Sequence, residues 1–171
     1  EIEEKEENIS SSKKTGILVS GLDNILVYLS KCCNPLPGEE IVGFITRGRG
    51  VSIHRSACSL GLDLDPARKV DVVWNQEENS LGQHMTYLEV VTEERKGILA
   101  EVTSAISNCG VSIMKAQVNL SPQQMGLLEF EVLIKDVEQL NRVINAIRAV
   151  KNVVFIERKM RARRKRQHNK K

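Results

Sequence analysis

Cys32, Cys33, His54 and Cys58 are the residues of this sequence best suited to chemistry, because soft and borderline donors of this kind can complete a four-coordinate zinc site. His54 and Cys58 stand four apart, a spacing that one turn of chain brings onto a single ion. The vicinal pair sets a condition. Neighbours on an extended strand point to opposite faces, so Cys32 and Cys33 can share an ion only if the chain turns there, and Asn34-Pro35 permits such a turn. The same side chains also fit a reduced, packed cluster, since small β modules bury cysteine as a modest hydrophobe. Thiol redox chemistry is a third use, helped by Lys31 but unsupported by any Cys-x-x-Cys at a helix start. Cys109, before Gly110 at the end of an apolar helical stripe, reads as core.

Two further groups could bind ligands. Arg47-Gly48-Arg49-Gly50 lies between two β-prone runs, and its guanidinium groups, with Lys31, His54 and Arg55 near in sequence, could face a phosphate backbone; a merely solvated turn also fits. Glu94-Arg95-Lys96-Gly97 opens a helix, whose free N–H groups and dipole suit a carboxylate, with Gly97 allowing close approach. A β-α turn without ligand accounts for it equally well. The histidines are His54, His84 and His168, none beside an Asp, and no glycine-rich loop carries a Lys-Ser/Thr pair for a nucleotide phosphate.

The elements that must position these residues fall into two modules. In the first, Ile17 to Val19 and Ile25 to Leu29 are short β runs, and Asn34-Pro35-Leu36-Pro37-Gly38 stops regular structure. Ile41 to Thr46 and Val51 to His54 form a hairpin, Cys58 to Arg68 is irregular or briefly helical, and Val70 to Trp74 is a strand. In the second, strand His84 to Thr92 leads to a helix over Gly97 to Asn108 and a strand over Val111 to Leu120. Leu128, Phe130, Val132 and Ile134 alternate against Glu129 and Glu131 as a strand with one wet face. Asp136 caps a helix whose stripe is Val137, Leu140, Val143, Ile144 and Ile147, and Val153 to Lys159 closes the set. The fold class is α+β: a small β-rich Cys/His module followed by a ferredoxin-like β-α-β-β-α-β domain. The expected boundaries are a charged, Ser-rich linker at 1–14, the β module at 15–74, a linker at 75–83, the second domain at 84–159 and a basic tail at 160–171.

Charge and composition agree with a folded, two-module chain. The 171 residues are 41% hydrophobic and 27% charged, with apolar runs too short for a membrane span, so a cytoplasmic setting is expected. Nine Lys and Arg from Arg158 onward meet no acid, so the net charge of +3 leaves −6 on the preceding residues. The basic tail could add nonspecific attraction to nucleic acid or be a solvated terminus. An opening at Glu1 without Met suggests a piece of a longer protein.

The stretch from Leu29 through Lys31-Cys32-Cys33-Asn34-Pro35-Leu36-Pro37-Gly38 to Arg47-Gly48-Arg49-Gly50-Val51-Ser52-Ile53-His54-Arg55 closely resembles the RIS module in the C-terminal half of the RelA/SpoT family. These are the (p)ppGpp synthetases and hydrolases of the stringent response. Glu94-Arg95-Lys96-Gly97-Ile98-Leu99 resembles the Asp-Arg-x-Gly-Leu-Leu signature of ACT domains. The two resemblances cover about Thr15 to Lys159.

They imply regulation, with the catalytic domains lying N-terminal to these modules and no GTP pyrophosphokinase activity in this chain itself. They further imply a zinc-finger-like role for Cys32, Cys33, His54 and Cys58. Lys31, Arg47, Arg49 and Arg55 would contact large-subunit ribosomal RNA when uncharged tRNA is sensed. For the ACT domain they imply capture of an amino acid, a branched aliphatic one, by Glu94, Arg95, Gly97, Ile98, Leu99, Ser112 and Ile113, at a homodimer formed by side-by-side strand pairing. Glu94 replaces the usual Asp and Ser112 the Asn of many binding members. The rivals are a free-standing amino-acid-sensing ACT protein and a thiol oxidoreductase.

Overall fold

Gly48 and Gly50 take φ of +75° and +86°, values open to glycine, and thereby close the hairpin of β3 (Ile41–Thr46) and β4 (Gly50–Arg55). The computed structural model describes residues 16–22, 24–75 and 82–160. β2 (Val27–Leu29) joins β4 in parallel, Val27 opposite Val51, and β5 (Lys69–Val70) adds to the far side of β3. A ribbon of β1 (Ile17–Val19) and β6 (Val72–Trp74) completes a core of Ile17, Val27, Val51, Ile53 and Val72. α1 (Ser59–Leu62) is a single turn, followed by a 3-10 turn at Pro66–Arg68.

Two expected strands are corrected here. The run Val70 to Trp74 is split at Asp71: β5 belongs to the four-stranded sheet and β6 to the ribbon, while the Asp71 carbonyl accepts a bond from Ser20 N at 2.9 Å. The run Ile25 to Leu29 shortens to β2, because the Leu26 carbonyl is taken by Val51 N at 2.8 Å where the parallel pairing starts.

The second module has the order β7 (His84–Thr92), α2 (Ile98–Asn108), β8 (Ser112–Leu120), β9 (Gly126–Ile134), α3 (Val137–Arg148) and β10 (Val153–Lys159). Its antiparallel sheet runs β10-β7-β9-β8. Both helices pack on one face over Leu88, Val90, Leu128, Phe130 and Val132, as the alternation in β9 requires. Asp136 accepts from Gln139 N at 2.7 Å and so caps α3 as its sequence predicts. β8 is an edge strand, exposed along most of its length. No helix among the described residues is long and apolar enough to cross a membrane.

The modules meet at Pro35-Leu36-Pro37, all three buried. Leu36 has no exposed surface and belongs to the core of the second module, beside residues of β7, β9, α2 and α3. Burial of one leucine contributes about 2 kcal/mol. The Pro37 carbonyl accepts from Val137 N at 2.9 Å, satisfying a free donor at the start of α3. Gly38, at φ +92°, lies so close that a Cβ there would meet Val137 Cγ1 at 2.7 Å. The expected lead-in at 1–14, most of the linker at 75–83 and the tail after Met160 lie outside the described residues.

Candidate metal centre and ligand surfaces

After β2 the chain turns through Lys31, Cys32 and Cys33, closed by Asn34 N bonding to the Ser30 carbonyl at 3.0 Å with Asn34 at φ +42°. That turn removes the strand alternation and brings both thiols to one side. His54 comes from the end of β4, and Cys58 from the position just before α1, whose N–H reaches the Arg55 carbonyl at 2.9 Å. Gly61 faces the histidine, and a Cβ there would lie 3.2 to 3.3 Å from its side chain, so a small residue keeps the ring in place. Phe44 meets the same ring edge-on at 5.8 Å.

The four donor atoms all lie within 4.8 Å of one another and could hold a metal ion. Cys32 Sγ is 3.4 Å from His54 Nδ1 and 3.7 Å from Cys58 Sγ, and Cys33 Sγ is 4.0 Å from Nδ1. Burial pushes the Cys33 thiol up to about 12 and raises Cys32 as well. Burial acts upward on Cys58 too, but backbone N–H groups of Gly61 and Leu60 and the neighbouring thiols outweigh it and hold that thiol below its ordinary value. Burial also lowers His54, which keeps the imidazole neutral and able to donate a lone pair.

A second layer supports this cluster. Arg55 N bonds to Cys33 Sγ at 3.4 Å. The Glu39 carboxylate accepts from Leu36 N at 2.8 Å through Oε2 and from Arg158 at 2.6 Å through Oε1, and its backbone carbonyl accepts from Trp74 Nε1 at 2.9 Å. Arg158 also donates to the carbonyls of Cys33, at 3.4 Å, and of Asn34. Burial lowers the pKa of Arg158 while Glu39 opposes the shift; an arginine there remains a cation.

Arg47 and Arg49 stand exposed at the hairpin tip, and Lys31 is exposed beside the cysteine turn. Arg55 is less open: its guanidinium turns toward Glu39 at 3.8 Å and its side chain is 26% exposed. Arg95 is likewise engaged. It makes two bonds to Glu101 at 2.8 and 2.6 Å, one to Asn152 at 3.0 Å and one to the Lys151 carbonyl at 3.2 Å, tying the β7–α2 turn to the α3–β10 turn. The Arg95–Glu101 bond raises the guanidinium's pKa and lowers the carboxyl's.

The expected amino-acid site is not assembled within one chain. Gly97, at φ +86°, opens α2 with no side-chain cap, Glu94 and Leu99 are exposed, and Ile98 is buried in the core. Thr92 and Leu120 both pair with Gly126, whereas Ser112 pairs with Leu133. The Glu94–Gly97 turn therefore sits at one end of the sheet, and Ser112 with the half-buried Ile113 at the other, roughly 27 Å away for eight residues of strand.

Leu36, Glu39, Trp74 and Arg158 are the residues that sequence reading missed. Arg158 is 119 residues from Glu39 and sits at the head of a basic run, where nothing distinguishes it from solvated neighbours. Leu36 between two prolines carried a signal: a lone leucine in a stretch that cannot form a strand of its own.

The profile of the RelA/SpoT RIS domain matches residues 17–75, and that of the ACT domain matches residues 80–158. Among curated proteins, the GTP pyrophosphokinase of Myxococcus xanthus is 37% identical over 150 residues, covering 88% of this chain and 20% of that protein. The GTP pyrophosphokinase of Photobacterium angustum is 36% identical over 85% of this chain and 20% of its own length. The Escherichia coli K12 enzyme is 35% identical over 86% of this chain and 20% of its own length. The chain thus spans about a fifth of the length of the curated relatives it matches. With a RIS domain and an ACT domain in succession, and GTP pyrophosphokinases aligned along most of it, the chain belongs to the RelA/SpoT family, as a C-terminal regulatory region.

Proposed function

We propose that this region relays ribosome binding to the (p)ppGpp-synthesising half of a longer cytoplasmic enzyme in the stringent response. The observation that carries this reading is the exposed Arg47-Gly48-Arg49 tip on a hairpin whose other end, at His54, is anchored in the Cys/His cluster. With Lys31, the tip offers three cations to a phosphate backbone on a rigid support. Aromatic residues make up only 4% of the chain, which favours backbone contact over base stacking. The test is co-sedimentation with 70S ribosomes across a salt series, comparing the full chain with one ending at Lys159. Pelleting by the shortened chain supports the reading; loss of all binding with the tail sinks it.

The cluster is read as a zinc site. Zinc bonds of about 2.3 Å to sulfur and 2.0 Å to nitrogen make the edges of a tetrahedron about 3.8 Å for S···S and 3.5 Å for S···N. The 3.7 Å separation of Cys32 and Cys58 and the 3.4 Å separation of Cys32 and His54 suit those edges. Zinc there would cross-link β2, β4 and α1, a folding contribution rather than a catalytic one.

A second reading concerns the ACT domain, and the β8 edge favours it. Antiparallel pairing of two β8 strands about a two-fold axis near Ala116 would set one protomer's Ser112 across from its partner's Leu120, close to the partner's Glu94–Gly97 turn. A homodimer would then form the amino-acid site that a single chain leaves in two halves. Calorimetry with valine, isoleucine and leucine tests it; saturable heat lost on Gly97→Ala supports binding, and flat titrations oppose it.

A further inference from the structure

The turn that carries Cys32 and Cys33 runs without interruption into the segment that plugs the ACT core. Between Cys33, 3% exposed in the cluster, and Leu36, wholly buried in the other module, lie only Asn34 and Pro35. Two consecutive X-Pro junctions around Leu36 restrict the backbone, so displacement at one end is transmitted to the other instead of being absorbed. Arg158, from the last ACT strand, holds the carbonyls of Cys33 and Asn34 and the carboxylate of Glu39. Its side chain is 10% exposed and Glu39's 14%, so the ion pair is largely shielded from solvent. Removing Arg158 leaves the shielded Glu39 carboxylate with only the longer 3.8 Å ion pair to Arg55 and the bond from Leu36 N.

We propose that Arg158 and Leu36 are positioning residues for the metal centre, supplied from and seated in the ACT domain, so that ion binding and RIS–ACT docking are coupled. The proposal rests on the zinc reading of the cluster. Each thiol that ligates the ion gives its proton to the buffer as its S–Zn bond forms, and no oxidant is involved. Docking holds the Cys33 backbone in place before the ion arrives, and the ion, once bound, holds the Asn34-Pro35-Leu36 plug in the ACT core. Coupling of this kind is reciprocal: whatever factor docking adds to metal affinity, the metal adds to docking.

The full chain is loaded with Zn2+ or stripped by a chelator, and two quantities are read. Metal affinity is measured by competition with a chromogenic chelator, with Co2+ absorption reporting donor geometry. Docking is followed by hydrogen exchange at the Val137 amide, which bonds to the Pro37 carbonyl. Stripping is expected to speed exchange at Val137 on the order of tenfold, and Arg158→Gln to weaken Zn2+ affinity by a similar factor and alter the Co2+ spectrum. Leu36→Ala should act alike; should it misfold, Arg158→Gln decides alone. Zn2+ uptake with unchanged Val137 exchange and a wild-type affinity in Arg158→Gln overturns the coupling and leaves the zinc reading standing. Absence of uptake by the wild-type chain overturns both.

Discussion

Arg158 reaches across 119 residues to place a guanidinium nitrogen 2.6 Å from Glu39 Oε1, and through this pair the last strand of the ACT domain grips the loop that carries Cys33. Glu39 in turn closes that loop, accepting from Leu36 N at 2.8 Å while its own N–H bonds the Leu36 carbonyl at 3.0 Å. Regulation in a two-module region needs a route between modules, and the Cys33–Glu39 segment is a short, stiff one.

Metal affinity should rise with pH. The buried Cys33 thiol, held up at about 12, is protonated across the physiological range, so an ion must displace its proton and gains affinity as protons become scarcer. Chelator competition at pH 6, 7 and 8 should show log affinity increasing by at least about one per pH unit. A flat profile would mean that Cys33 is not a ligand. Cys33→Ser should lose most of the affinity, and Cys109→Ser, away from the cluster, none.

The metal-free chain should be most stable between about pH 6.5 and 9. Burial lowers His54 and His84 in the folded state, so their neutral forms favour folding above 6.5, and this contribution is lost as pH falls and the unfolded chain takes up protons first. Cys33 works the other way. Its raised folded value gives a contribution that is present below 9 and lost as pH climbs toward 12, because the unfolded thiol ionises first. Urea unfolding of chelator-treated protein from pH 5 to 10 checks both limbs, and Cys33→Ser should flatten the alkaline one.

Gly48 and Gly50, two residues apart at the hairpin turn, should respond differently to alanine. Both have positive φ, but a Cβ on Gly48 meets nothing within 4 Å, whereas one on Gly50 would lie 2.1 Å from the Leu26 carbonyl oxygen. Gly48→Ala should cost about 1 kcal/mol, the price of the backbone conformation alone. Gly50→Ala should cost about 3 kcal/mol or more, since β2 must move off β4. Equal losses in denaturant melts would show that the close approach is not there.

Arg47 and Arg49 should matter for ribosome affinity and not for stability, and Arg55 the reverse. Arg47→Ala and Arg49→Ala should each lower the salt slope of ribosome binding by about one while leaving the melting temperature unchanged. Arg55→Ala should lower the melting temperature, because its guanidinium faces the shielded Glu39 carboxylate, while the backbone N–H that bonds Cys33 is kept. Loss of ribosome binding in Arg55→Ala without loss of stability would contradict this division.

A β8-paired dimer should be disrupted by charge on its apolar edge. Val118 and Leu120 are 48% and 65% exposed. Val118→Glu should shift the sedimentation coefficient to that of a monomer if two copies pair about an axis near Ala116, since each copy would then set a carboxylate against the apolar Met114 position of the other.

Local order in this protein was legible because local rules decide it. The alternation of Leu128, Phe130, Val132 and Ile134 specified β9 and its wet face, Asp136 marked the start of α3, and the glycines after Arg47 and Arg49 marked a hairpin. The Cys/His donor set was legible by residue type. Other features had no local signature. Strand pairing is a choice among distant partners, so the division of Val70 to Trp74 between two sheets at Asp71 could not be read from one run of residues. Only the turn at Lys31–Cys33 put both thiols on one side, and only the folded ACT core offered Leu36 a place to be buried. The fate of each arginine was likewise tertiary. Arg47, Arg55 and Arg158 carry the same charge, and what separates an exposed cation from a shielded one is whether an acid such as Glu39, 119 residues from Arg158, is brought within reach to offset the cost of leaving water.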